Sequence, residues 1–163
     1  MKKKIAVACA AMMLTAGFAS VAPDNFVDTF STKVEAAQNT DPRFAFDGIS
    51  FGCTYEDVVA VLGQPVGSVD DDEFIFGNGL IIEFADNRTV EEIETLKQGM
   101  GTDAGVAVGM PEYTITDSYG TADNVHQEHG KTIYQYFGGN GRFVLRITVT
   151  GGFVEKIKAK CHD

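Results

Sequence analysis

The chain has 163 residues, with 13 Lys and Arg against 23 Asp and Glu, a formal net charge of −10. So acidic a surface repels nucleic acid and anionic headgroups, which sets those partners aside and leaves a basic protein partner or plain solubility. The 44% hydrophobic content is that of a globular chain, and the length is that of one domain after processing.

The first 36 residues read as a signal peptide. Lys2, Lys3 and Lys4 form a basic start, residues 5–21 are apolar and small, and cleavage signals follow at Ser20-Val21-Ala22 and Val34-Glu35-Ala36. The apolar run is about 17 residues, the lower limit for a membrane span. A cleaved export signal is therefore the expectation, with a retained anchor as its rival. Cys9 comes too early in the run to be a lipid-attachment site. Cleavage would remove four lysines and three carboxylates, leaving −11 on the exported part. The expected location is secreted or in the cell envelope, with no stable membrane insertion after cleavage.

Residues 37–47 are polar, contain Asp41-Pro42 and read as a linker or loose arm. Residues 48–97 then form one unit, 98–105 a second linker, and 106–163 another unit. The division comes from an internal echo: ISFGCTYEDVVAVLGQP at 49–65 is answered by VAVGMPEYTITDSYGTA at 106–122. Gly52 aligns with Gly109, Val58 with Ile115, Leu62 with Tyr119 and Gly63 with Gly120. TVEEIETL at 89–96 is mirrored by FVEKIKAK at 153–160.

In the first unit Thr54 and Asp57 make a capping-box variant that starts a helix. Tyr55, Val58, Val59 and Leu62 supply its apolar face, and Gly63 with Pro65 stops it. In the second, Pro111 takes the Thr54 slot, where a missing N–H is tolerated. Strand signals follow each helix. The segments 73–76 and 80–84 flank a Gly77-Asn78-Gly79 turn, and 132–137 and 143–149 flank 138–141. A third strand closes each meander, at 89–96 and at 153–160. The predicted fold is α+β: two tandem repeats, each a helix followed by an antiparallel three-stranded meander. The helices lie on one face of the sheet and the other face is open.

Gly52-Cys53-Thr54 followed by Val58, Leu62-Gly63 and Pro65 is similar to the "G-M-T, then V, then L-G-x-P" pattern of the β-lactamase inhibitory protein and the SmpA/OmlA (BamE-like) envelope modules. Gly109-Met110 with Tyr119-Gly120 resembles a second copy, and the tandem arrangement looks more like the inhibitory protein. That resemblance implies binding without catalysis. The inhibitory protein uses an open sheet face and an acidic loop, and the matching loop here carries Asp70, Asp71, Asp72 and Glu73. This chain departs from the inhibitor in having no tryptophan and no pair of cysteines within either unit.

Candidate contact residues are therefore Asp70, Asp71, Asp72 and Glu73, joined by Tyr134 and Tyr136. The tyrosines stand on the open face if Ile133 and Phe137 face the helices, and in the core otherwise. The acidic run reads either as a tongue for a basic pocket or as a solvated loop, with too few oxygens for Ca²⁺. Glu92 and Glu94 on one third strand are matched by Lys156 and Lys158 on the other, which favours pairing of the two halves. Cys53 and Cys161 remain after processing, either as one disulfide or as two separate thiols. His126 and His129 lack the zincin order, and Cys161, His162 and Asp163 are adjacent at the chain end rather than held on separate supports. No enzyme, no cofactor and no metal site is expected. The reading is a secreted or envelope-associated protein-binding module, with an SmpA/OmlA-type assembly component as the alternative. A small metal-dependent hydrolase using His126 and His129 is the remaining rival.

Overall fold

A computed structural model describes residues 41–162 of the chain. The signal-peptide reading of residues 1–36 lies outside the described residues. A helix at Tyr55–Leu62 (α1) is followed by strands Gly67–Ser68 (β1), Glu73–Ile75 (β2), Leu80–Phe84 (β3) and Val90–Thr95 (β4). A second helix at Tyr113–Tyr119 (α2) is followed by Asn124–Glu128 (β5), Lys131–Gly138 (β6), Phe143–Thr150 (β7) and Phe153–Cys161 (β8). All eight strands make one antiparallel sheet in the order β1-β2-β3-β4-β8-β7-β6-β5.

This corrects the expected architecture. The chain is not two helix-plus-three-strand repeats but one eight-stranded sheet carrying two short helices. Two strands went unpredicted for different reasons. β1 is two residues long, too short to show a period, and β5 is polar at every position except Val125. The merging of the sheets follows from β4 and β8, whose backbones pair from Glu92↔Lys160 to Thr95↔Ile157.

α1 begins as its sequence dictates. The Asp57 N–H donates to the Thr54 hydroxyl at 3.2 Å, and the Thr54 N–H donates to the Asp57 carboxylate at 2.9 Å. Two of the helix's orphan donor groups are thereby satisfied, worth about 1 kcal/mol. Gly63 ends it at φ 81°, a left-handed angle that a side chain would strain, and Gly120 ends α2 in the same way at φ 73°. The lead into each helix is held by matching backbone bonds. Val90 N–H reaches the Cys53 carbonyl at 2.9 Å and Val154 N–H reaches the Met110 carbonyl at 2.9 Å.

Strand register sorts the side chains. Phe74, Ile82, Ile93, Ala159, Leu145 and Tyr136 form one cross-strand row on the face that both helices cover. Tyr55 of α1 meets Phe74 and Phe84 edge-on at 5.5 and 5.3 Å between centroids, while Tyr119 of α2 meets Tyr136 at 5.3 Å. Val58 and Ile115, the aligned helix positions, are both fully buried. Residues 41–47, expected to end a loose linker, instead seal one end of this core. Phe44 and Phe46 are fully buried, and Phe44 packs on Phe51 and Phe143.

Leu145 is fully buried in the middle of the helix-covered face. Leu145→Ala is expected to cost about 2–5 kcal/mol through lost burial and a residual cavity, read as a lower midpoint in urea. Val61→Ala, on a largely exposed helix position, is expected to leave the midpoint within about 0.5 kcal/mol of the parent.

Candidate functional site

The sheet face opposite the helices carries the polar chemistry. Glu73, Glu83, Glu92, Lys160, Val144 and Phe137 form one row across it, and Ile75, Ile81, Glu94, Lys158, Arg146 and Gln135 form the next. Acid thus occupies β2 to β4 and base occupies β8 and β7, with the boundary on the β4–β8 seam. Lys156 reaches Glu94 at 3.2 Å, Lys158 reaches Glu94 at 3.6 Å and also pairs with Glu92, and Lys160 reaches Glu92 at 3.5 Å. The charges that the sequence set on matching strands face each other here and neutralise across the join.

Glu92 is 4% exposed, so its charge needs partners, and two lysines supply them. Burial works to push the Lys158 ammonium down, but the hydrogen bond and charge of Glu92 and the charge of Glu94 outweigh it, holding the pKa above the ordinary lysine value. Further out, burial and the neighbouring carboxylates push Glu73 and Glu83 up.

The acidic run completes that side. Residues 69–72 form the turn of the β1–β2 hairpin, closed by the Val69 N–H on the Glu73 carbonyl at 2.8 Å. Asp70, Asp71 and Asp72 are exposed, and Glu73 is half-buried at the start of β2 on the open face. Asp71, Asp72 and Asp86 also line a cleft together with the rings of Tyr55, Phe74 and Phe84 and with Arg88. The Arg88 guanidinium stands over the Tyr55 ring at 4.6 Å, so one ring of the lining already holds a cation by its face. Sequence reading missed Asp86, Arg88 and the gathering of these rings. Tyr55, Phe74 and Phe84 come from three elements that only the fold brings together.

The tyrosines fall elsewhere. β6 turns Ile133 and Phe137 to the open face and sends Tyr134 and Tyr136 to the helix side, the reverse of the parity that would expose them. Tyr136 is 1% exposed and donates to the Gly120 carbonyl at 3.0 Å, fixing the end of α2. Tyr134 donates to Glu112 at 2.7 Å, at the start of the same helix. Both tyrosines anchor α2, and the structure does not bring them to the acidic loop.

His126 lies on the edge strand β5 and His129 in the following turn at φ 49°, both exposed. Among the described residues no group of three or more His, Cys, Asp or Glu is arranged to hold a metal ion. Cys53 is buried, Cys161 is half-buried, and both belong to the hydrophobic core. Asp163 lies outside the described residues.

Two predictions follow from these environments. Lys158→Met withdraws one of the two cations from buried Glu92, so a loss of about 1–3 kcal/mol is expected in urea unfolding, with partial recovery in Lys158→Met/Glu92→Gln. Burial pushes the Tyr119 phenol up to about 12, and the hydrogen bond to Glu112, then burial, pushes Tyr134 up to about 12. Across that window the folded chain keeps protons that the unfolded chain has lost. The contribution is whole below the ordinary tyrosine value of 10.0 and drains away as pH rises from there to about 12. Phenolate absorbance should show a late step in the folded protein that shrinks in Tyr119→Phe; ionisation of every tyrosine near pH 10 while folded would contradict it.

Comparison with protein-family models and with curated proteins finds no match. Among solved structures the chain is similar to a DUF4309 family protein, YjgB, from Bacillus subtilis, at 21% identity and a TM-score of 0.48, over 70% of this chain and 82% of that one.

Proposed function

We propose that this chain is an exported, non-enzymatic protein-binding module. It engages a basic patch on a protein partner through the acidic hairpin turn at Asp70, Asp71 and Asp72 and the adjoining β2–β4 half of the open sheet face. The observation that carries the reading is the gathering of Asp71, Asp72 and Asp86 in one cleft with Tyr55, Phe74 and Phe84, where Arg88 already stands over the Tyr55 ring. Carboxylates beside aromatic rings suit a partner's lysine or arginine, which gains ion pairing from the acids and ring-face attraction from Phe74 or Phe84. Around the sheet edge, on the face opposite Phe74, Glu73 and Glu83 add two carboxylates that burial, then neighbouring acid, holds above the ordinary glutamate value. The similarity of residues 52–65 to the inhibitory-protein pattern supports the same class of function. The contact set rests on the acidic residues and omits Tyr134 and Tyr136, which are engaged with α2.

The test is capture from the envelope and culture fluid of the producing cell, using immobilised chain and a charge-reversed Asp70→Lys/Asp71→Lys/Asp72→Lys variant. The native chain is expected to retain a basic protein that the variant loses at least about tenfold, with retention falling as salt rises. Equal capture by both chains would sink the proposal. Fractionation separates the alternative: constant residence with the membrane fraction, indifferent to the loop charges, would favour an SmpA/OmlA-type assembly component.

A further inference from the structure

The edge of β4 away from β3 is shared by two segments far apart in sequence. From Thr95 back to Glu92 that edge is covered by β8, which runs antiparallel from Ile157 to Lys160. From Val90 back to Arg88 it is covered by the lead into α1. There the Tyr55 N–H donates to the Arg88 carbonyl at 3.1 Å, and the Val90 N–H donates to the Cys53 carbonyl at 2.9 Å. Strand β3 holds the opposite edge throughout, with Phe84 paired to Val90 and the Ala85 N–H on the Thr89 carbonyl at 2.9 Å. One residue beyond Lys160, β8 ends at Cys161. The two cysteines therefore occupy the meeting point of two segments on one strand edge.

Face and packing agree with that placement. Ile157 and Ala159 are fully buried on the helix-covered side, and Cys161 continues their alternation; Cys53 is 1% exposed in the same core. A second contact fixes the approach independently. Phe143 lies opposite Cys161 on β7, and its ring stacks on Phe51, two residues before Cys53, at 5.0 Å and 17°. Disulfides require Cα atoms about 4–7 Å apart, the scale of neighbouring positions on a strand edge.

We infer that Cys53 and Cys161 form an intramolecular disulfide in the exported protein, clasping the lead into α1 to the end of β8. Formation is an exchange with a low-molecular-weight disulfide of the glutathione type. The two cysteine thiols give up two protons and two electrons as their S–S bond forms, and the reagent's S–S bond is cleaved to two thiols. The closed loop spans about 108 residues, long enough for the clasp to restrict the unfolded chain strongly. The inference uses the export expected of the leader and none of the acidic surface, so each proposal stands or falls alone.

The test takes the full chain carrying Cys9→Ser, so that two cysteines remain, and exposes the folded protein to oxidised glutathione. Expected are a monomer about 2 Da lighter with no alkylatable thiol, a linked peptide pair containing positions 53 and 161, and a Tm that falls by roughly 10 °C on reduction. Persistent alkylation of both thiols, stable glutathione adducts or chain-to-chain cross-links would overturn the proposal. Cys53→Ala/Cys161→Ala in the same background should melt with the reduced chain and ignore reductant; continued sensitivity to reductant would also count against the clasp. Should that variant fail to fold, mass and alkylation of the cysteine-containing chain still decide.

Discussion

The pairing of β4 with β8 is the constraint on which the rest of the structure depends. Four residues of each strand lie in register from Glu92↔Lys160 to Thr95↔Ile157, and this short ladder turns two four-stranded stretches into one sheet. A strand edge left open in water exposes unpaired backbone groups and invites association with other chains. Burying both inner edges against each other removes that liability and places Ile93, Ala159 and Ile157 in the centre of the core. The charges on the reverse side then fix the register. A slip of β8 by one residue against β4 would send Lys158 and Lys160 into the apolar layer and bring Ile157 and Ala159 out.

That seam also decides how the two faces differ. On the helix side the row from Phe74 to Tyr136 is apolar, and both helices close over it. On the other side the seam collects Glu92 and Glu94 against Lys156, Lys158 and Lys160, so the middle of the open face is largely self-satisfied. A partner gains little by competing for charges already paired. The charge left over lies at the β2–β4 margin, where acid outnumbers base and the turn carrying Asp70, Asp71 and Asp72 is exposed.

Much of the local structure was legible in the sequence, because it depends on local chemistry. The Thr54–Asp57 capping box, the Gly63 stop and the turn at residues 77–79 each follow from residues within a few positions of one another. Other features were not legible because non-neighbours set them. β5 is an exposed edge strand with no apolar alternation, held by β6 on one side. The parity of β6 was ambiguous because Ile133 and Phe137 are as apolar as Tyr134 and Tyr136. Its cross-strand partners, buried Leu145 and Ile147 against exposed Arg146, settle it. The acidic run was visible as composition, but its role as a hairpin turn depended on β1, which has too few residues to announce itself.

The two ends of the sheet differ in the length of their edge strands. β5 and β6 pair over five registers, from Asn124↔Gln135 to Glu128↔Lys131, so that edge is a full strand. β1 and β2 pair over two, Gly67↔Ile75 and Ser68↔Phe74, and then the chain opens into the turn. One step further Val69 already bonds Glu73, and another step would set Asp70 against Asp72 across the tip at Asp71, a like-charge opposition that is destabilising. The turn thus holds its three aspartates in water, beside the cleft lined by Phe74 and Phe84. One sheet therefore ends in a fully paired strand at β5 and in a hairpin tipped by exposed Asp70, Asp71 and Asp72 beside β1.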